Sequence, residues 1–189
     1  MKGDKEVVLA AVNRNGFALR IASEELKRDK EVVLAAVKQN VHALQYAFKE
    51  LRRDKEVVLA AVNKDGCALR YVSEELIEDK DVMLEAVKLN GGALEYVYEG
   101  LKGDKELVLA AINQDGSVFQ YASKKLKEDR EVVLAAVRNW FELRLVSEGM
   151  KGDKEVVLMA INYNGNLLRD ASEELKGNKE VVLAAVNKH

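Results

Sequence analysis

The sequence predicts an all-α fold: an α-solenoid of seven two-helix repeats of about 25 residues and a final half repeat, wound in a right-handed sense. Three observations lead to this fold class. A fixed period of this length is typical of helical repeat proteins, the apolar residues follow helical spacing, and the 189 residues contain no proline. We expect residues 1–189 to form a single array, whose repeats begin at Asp4, Asp29, Asp54, Asp79, Asp104, Asp129, Asp153 and Asn178.

The first helix of each repeat has a capping residue and a nearly uniform apolar sequence. In the first repeat, DKEVVLAAV starts at Asp4, whose carboxylate can accept hydrogen bonds from the free N–H groups of the first turn. Residues 7–12 are all apolar, so we expect this helix to be buried on several sides. Asn15 and Gly16 follow, and we expect Gly16 to close the helix in the left-handed conformation. Val41 takes this place in the second repeat, so a turn of different geometry is expected there.

The second helix of each repeat is predicted to lie in an outer layer, with one face in water. In the first repeat, Leu19, Ala22 and Leu26 follow one another at intervals of three and four residues, which places them on one helical face. Ser23 can cap a short turn of its own, so we expect this helix to be the one that splits into two pieces. A charged or glycine-containing link then leads to the next repeat.

A longer period, equal to two repeats, underlies the shorter one. The tenth place holds asparagine in odd repeats and a cation in even ones, as in Asn13 and Lys38, up to the final half repeat. The phrases DKEVVLAAV, ALRYVSEEL and ALQYAFKEL carry a resemblance, over essentially the whole chain, to the tandem helical repeats known as domain of unknown function 4116. The resemblance implies a helical repeat fold and no activity that could be assigned to a residue. Repeats six and seven depart from it, with Leu145 and Asp170 where the middle repeats have tyrosine.

Composition argues against several classes of function. Lys and Arg number 30 and Asp and Glu 32, so the net charge of −2 gives no overall attraction to nucleic acid or to an anionic membrane. Cys67 is the single cysteine beside two histidines, which excludes an intrachain disulfide and a histidine–cysteine metal cluster. The sequence has no glycine-rich phosphate loop and no nucleophile motif. We therefore expect no enzyme activity, no cofactor and no metal site.

The absence of targeting and membrane-spanning segments predicts the compartment of the protein. It has no secretory signal, and no apolar run approaches roughly 18 residues, so we expect no membrane insertion. A lone cysteine fits a cytoplasmic or other reducing compartment. The first and last helices carry the same apolar residues as the interior ones. We therefore expect either a piece cut from a longer array or an array whose ends are covered by neighbours, end to end or in a larger complex.

Aromatic residues are the candidate partner-binding sites. Stacking of the repeats would align one tyrosine from each of four successive repeats, and two interpretations remain open: a row that grips a partner, or packing between outer helices. The sixth repeat is one residue short and has Trp140 and Phe141 at its inter-helix turn. These two residues either fill the gap left by the deletion or stand at the rim as an anchor for a partner. The tyrosines are Tyr46, Tyr71, Tyr96 and Tyr121.

Charge patterning bears on the choice of partner. The Asp-Lys-Glu opening of nearly every repeat is expected to form a ladder of acids and bases that neutralise one another, each pair contributing little to stability. We therefore expect a non-catalytic protein–protein interaction scaffold or a structural subunit of a larger assembly. An RNA-binding repeat protein is the alternative. Its variable places would be Arg20, Gln45, Arg70, Glu95, Gln120, Arg144 and Arg169, whose mixed charges resemble a polar rim more than a basic groove.

Overall fold

The computed structural model describes residues 2–139 and 143–188. These residues form helices and turns without a single strand, and the prediction of an all-α repeat fold is confirmed. The chain divides into two compact units, Met1–Leu101 and Lys102–His189. The first unit holds the repeats that begin at residues 4, 29, 54 and 79, and the second holds those that begin at residues 104, 129, 153 and 178.

Each repeat begins with a helix of 8 to 10 residues. Within each compact unit every such helix packs beside the next one along the chain, so that these helices form one layer. In the first unit they are α1 (Lys5–Arg14), α2 (Lys30–Gln39), α3 (Lys55–Lys64) and α4 (Lys80–Leu89). In the second unit they are α5 (Lys105–Ile112), α6 (Arg130–Arg138), α7 (Lys154–Tyr163) and α8 (Lys179–Val186).

The predicted helix caps are confirmed. The Asp29 carboxylate accepts hydrogen bonds from the backbone N–H groups of Glu31 and Val32, at 3.0 and 3.2 Å. At the same place in the last repeat, Asn178 accepts from Glu180 and Val181 at 3.1 and 3.2 Å. The side-chain oxygen, and not the negative charge, is therefore the feature that every long helix shares at its start.

In six of the seven full repeats the second predicted helix is replaced by a six-residue 3₁₀ helix followed by a separate single turn. With three residues per turn, Gly16, Leu19 and Ala22 lie along one line, and all three are buried. Ala22 ends the 3₁₀ helix in an extended conformation (φ −63°, ψ 160°). The N–H of Ser23 then donates to the carbonyl of Lys2 at 2.8 Å, so the split expected at Ser23 is confirmed.

The 3₁₀ helices form a second layer against the long helices in each compact unit. Their bounds are Gly16–Ile21, Val41–Tyr46, Gly66–Tyr71, Gly91–Tyr96, Gly116–Tyr121, Leu143–Leu145 and Gly165–Asp170. The short turns that follow are 3₁₀ at Leu26–Arg28, Leu51–Arg53, Glu99–Gly103 and Leu126–Glu128, and α-helical at Glu74–Ile77, Glu148–Lys151 and Glu173–Lys176.

The apolar core lies between these two layers and between neighbouring repeats. In α2 the side chains of Val32, Val33 and Val37 are 0% exposed, and complete burial of a valine stabilises a fold by roughly 1.5–3 kcal/mol. Leu34 and Ala35 on the same helix remain partly open to solvent. The expectation of a helix buried on several sides is therefore met on one side, whereas the other side forms part of the surface.

Gly16 lies between the two layers, where there is no room for a side chain. The expectation that it ends the helix in a left-handed conformation is wrong. Asn15, where α1 ends, is extended (φ −150°, ψ 107°), and Gly16 already belongs to the 3₁₀ helix. A Cβ atom on Gly16 would overlap the carbonyl oxygen of Ala36 in the next repeat. The second repeat makes the same turn with valine, since Asn40 has φ −146° and ψ 115° before the buried Val41. The different geometry expected there is also wrong.

Candidate binding surfaces

A ladder of ion pairs connects the starts of neighbouring long helices, as predicted. Lys5 in α1 lies 2.8 Å from both Asp29 and Glu31 in the next repeat. Lys30 and Lys105 make the equivalent pairs with Asp54 and Glu56 and with Asp129 and Glu131, at 2.7 to 2.9 Å. These side chains are substantially exposed, so each pair contributes little to stability. Much of the charge at this edge is thus neutralised within the protein.

Four of the capping carboxyl groups, Asp29, Asp54, Asp129 and Asp153, have a lowered pKa, and the ladder is the main cause at Asp29 and Asp129. The hydrogen bond from Lys5 is the main cause for Asp29, and the bonds from the backbone N–H groups of α2 act in the same direction. The hydrogen bond from Lys105 does the same for Asp129. These two carboxylates therefore stay ionised, and their cap and their ion pair stay formed, at a lower pH than an isolated aspartate allows.

A groove opens on the exposed side of α1 and α2. It encloses about 650 Å³, within the range of small-ligand and peptide side-chain sites. Its apolar part comes from Leu9, Leu34 and Ala35, and polar groups of Asn13 and Lys38 stand at the ends of the two helices. We call it the first groove; its lining is completed by Lys30, Glu31 and Glu56.

The second compact unit has a groove at the equivalent residues of α5 and α6. This second groove encloses about 470 Å³. Each of its lining residues lies 100 positions after a residue of the first groove, so Arg138 replaces Lys38 and the aliphatic residues are unchanged. The lining consists of Leu109, Asn113, Arg130, Glu131, Leu134, Ala135 and Arg138. A further depression of about 440 Å³ lies between α6 and α7.

The intervening pair of repeats has a glutamate at this place. Glu85 in α4 corresponds to Ala35 and Ala135, and its carboxylate lies 2.6 Å from the Lys55 ammonium. Lys55 corresponds to Lys5 in the first pair, which binds the acids at the start of the next helix instead. A carboxylate placed in this part of the surface is thus held by the protein's own cations.

The tyrosines lie half-exposed on the 3₁₀ layer and pack against the preceding repeat. The Tyr46 ring meets Phe17 edge to face, with ring centroids 6.2 Å apart. The Tyr71 ring meets His42 in the same way at 5.8 Å, and the Tyr71 hydroxyl lies 2.9 Å from the Nδ1 of His42. In each pair, part of the tyrosine ring is therefore covered by the preceding repeat.

The other two tyrosines occupy the same place. Tyr96 lies on the next 3₁₀ helix of the first compact unit, and Tyr121 lies on the first 3₁₀ helix of the second. Both are half-exposed like Tyr46 and Tyr71. Trp140 and Phe141, the remaining candidates, lie outside the described residues. Just before them, the Asn139 side chain donates to the carbonyl of Ala135 at 2.9 Å.

Among the described residues, few groups have the chemistry of a catalytic or metal site. Burial, with the hydrogen bond to Asp65 as a second cause, raises the pKa of the Cys67 thiol to about 11, which disfavours the thiolate needed by a nucleophile. In the described ranges no group of three or more His, Cys, Asp or Glu side chains is placed to bind a metal ion. None of the helices described here has the length and apolar character needed to cross a membrane.

The grooves are the feature that sequence reasoning missed. The variable places proposed for RNA reading are exposed in every repeat, from Arg20 to Arg169. The grooves are instead lined by residues that are nearly the same in every repeat. From the sequence alone, the apolar ones among them are predicted to be core residues. Only the alternation at the tenth place, as in Asn13 and Lys38, signalled that this side of the long helices differs between odd and even repeats.

Comparison with known protein families gives matches whose length agrees with the longer period of two repeats. A family model described as "Domain of unknown function (DUF4116)" matches residues 4–52, 54–102, 104–151 and 153–189. Each of the first three matches spans one pair of repeats, and the fourth spans a repeat and a half. No curated protein and no solved structure matches the chain.

Proposed function

The chain belongs to the family described as domain of unknown function DUF4116, and we propose that it is a non-catalytic scaffold for protein–protein interactions within a larger assembly. One observation carries this proposal: a groove with an aliphatic floor and polar ends recurs at equivalent residues in both compact units. A repeated surface of this kind suits an extended partner that is bound at more than one point. The core of the described residues is apolar apart from Ser73, which leaves recognition to the surface.

The tyrosines are a second surface that we propose for partner contact. Each combines a large apolar ring with a hydroxyl, which suits interfaces. Their half-exposure leaves ring area free beyond the contacts that Tyr46 and Tyr71 make with the preceding repeat. Tyr96 and Tyr121 are proposed for the same role. Trp140 and Phe141 stay candidates from the sequence alone.

The role of a structural subunit rests on the two end repeats. Val7 is 45% exposed and Val186 is 62% exposed, whereas interior residues at the same places are at most 5% exposed, as for Val32 and Val37 at 0%. We propose that α8 of one copy covers α1 of a second copy, as each long helix covers the next within a compact unit. The average mass in sedimentation should then rise with concentration, and Val7→Lys should suppress the rise; a constant mass would contradict this arrangement.

The scaffold itself is tested by selection from a displayed library of random peptides. We expect enrichment of related peptides that bind the purified chain when they are made synthetically. Filter binding of single-stranded RNA at moderate salt is the parallel measurement, because an RNA reader would retain RNA when weak backbone attraction is screened. Retained RNA without enriched peptides would replace the proposal by the RNA-binding alternative.

A further inference from the structure

We propose that the first and second grooves each bind an acidic peptide segment, with an aliphatic side chain on the leucine floor and a carboxylate on the cation of the tenth place. This inference rests on the proposed scaffold function and names the chemistry of its partner. Lys38 supplies the cation in the first groove and Arg138 in the second. Leu9 and Leu34, with their counterparts Leu109 and Leu134, supply the floor.

The cations of the tenth place are available to a ligand. No ion pair between described residues includes Lys38 or Arg138. The cations at the other end of the same grooves are engaged, since Lys30 binds Asp54 and Glu56 and Arg130 binds Asp153 and Glu155. Among the described residues, each groove therefore combines a cation that is ion-paired at one end with a cation that is not at the other.

Stabilisation of the helix end does not account for these cations. A cation in the last turn of a helix interacts favourably with the helix dipole. However, α5 has Asn113 at the same place and no basic residue in its last turn, and this helix forms without that charge. Lys38 and Arg138 occur in the two repeats whose helices contribute an alanine to a groove. The third such cation, Lys88, occurs in the repeat that has Glu85 in place of this alanine.

The neighbouring charges favour a peptide over RNA. Glu31 and Glu56 line the first groove, and Glu131 lines the second. These carboxylates are paired with lysines of the ladder and leave one free cation in each groove among the described residues, whereas a continuous phosphate backbone needs several free cations in succession. A peptide can place one carboxylate at the free cation and an aliphatic side chain on the floor, away from the acids. Glu85 shows that a carboxylate is accepted in this part of the surface when a cation is at hand, in that case Lys55, the counterpart of Lys5.

Fluorescence anisotropy with four labelled probes tests the proposal. The probes are a short peptide that alternates glutamate and leucine, the same peptide with glutamine for glutamate, one with glycine for leucine, and oligouridylate. We expect saturable binding of the glutamate–leucine peptide, with two sites per chain. Either change to the peptide should weaken binding about tenfold or more, as expected for loss of a charge-assisted hydrogen bond or of a buried leucine.

Matched variants locate the sites. The double variant Lys38→Gln with Arg138→Gln should weaken binding about tenfold, whereas Lys88→Gln, at the same helix place beside Glu85, should leave it unchanged. Ala35→Glu with Ala135→Glu should abolish binding, and Glu85→Ala should raise the number of sites. Circular dichroism melting of each variant verifies that it is folded.

The outcomes separate this inference from the scaffold function. Absence of glutamate–leucine binding, equal binding of the glutamine peptide, or equal loss in Lys88→Gln would each overturn the acidic-peptide assignment. If library-selected peptides still bind in those cases, the scaffold proposal survives. If oligouridylate alone binds, both proposals fail.

Discussion

Replacing Gly16 by alanine tests whether the repeats are held by close contact between backbones. A Cβ atom at Gly16 would meet the carbonyl oxygen of Ala36, and it would lie 3.0 Å from both the Cβ and the backbone nitrogen of Asn40. Two of these three atoms belong to backbone that is fixed in or beside α2, so the added methyl cannot be accommodated by rotation of a side chain. We expect a loss of about 1–3 kcal/mol, the usual cost of overpacking a well-packed region.

Thermal unfolding followed by circular dichroism measures this loss. For a cooperative unit of roughly 100 residues, 2 kcal/mol corresponds to a fall of about 8–16 °C in the melting temperature. Gly149→Ala is the matched control, because a Cβ atom there has no neighbour within 4 Å. Gly149 lies in the short helix Glu148–Lys151, so the control should be neutral or stabilise by up to about 1 kcal/mol.

A third variant separates space from backbone conformation. If Gly16 were needed for a left-handed conformation, Gly16→Asn should be tolerated better than Gly16→Ala, because asparagine enters that region more readily. If space is the reason, asparagine is the larger residue and should cost more than alanine. A melting temperature of Gly16→Ala equal to that of the parent protein, or a smaller loss for Gly16→Asn, would refute the packing argument.

Two further predictions concern the ion-pair ladder and the tyrosines. A carboxyl group whose pKa is lowered by folding adds stability above its unfolded pKa of about 3.9, and this stability is lost as the pH falls through the folded value. Urea unfolding below about pH 4 should therefore show a smaller acid-induced loss for Asp29→Asn, which keeps the cap as Asn178 does; an unchanged pH dependence would contradict this. Tyr71→Phe should cost about 0.5–1.5 kcal/mol by removing the hydrogen bond with His42. Tyr46→Phe should cost almost nothing, and equal losses would contradict the assignment.

The long helices were predictable because their determinants are local. Asp29 caps α2 through N–H groups two and three residues ahead, and this spacing is visible in the sequence. The burial of Leu19, Ala22 and Leu26 could be predicted from their spacing in the same way, although they do not lie on one continuous helix. A capping residue and a periodic apolar face need no knowledge of neighbouring repeats.

The second helix was predicted less well because a neighbouring segment decides its form. Ser23 donates its backbone N–H to Lys2, which lies 21 positions earlier in the sequence. Equivalent bonds join Ser73 to Arg52 and Ser123 to Lys102. Such a bond fixes the residue before it in an extended conformation, and a continuous α-helix cannot pass through that residue. A bond between repeats leaves no signal within one repeat.

The grooves show why a repeat protein has to be interpreted by comparing its copies. Within one repeat, Leu34 and Ala35 are indistinguishable from core residues, because they stand in an unbroken apolar run. Their partial exposure arises when α1 and α2 pack side by side and leave this side uncovered. Glu85, standing where the other three even-numbered repeats have alanine, shows that this place accepts a charge and therefore faces water. A single substitution among near-identical copies thus identifies the surface that burial patterns within one copy conceal.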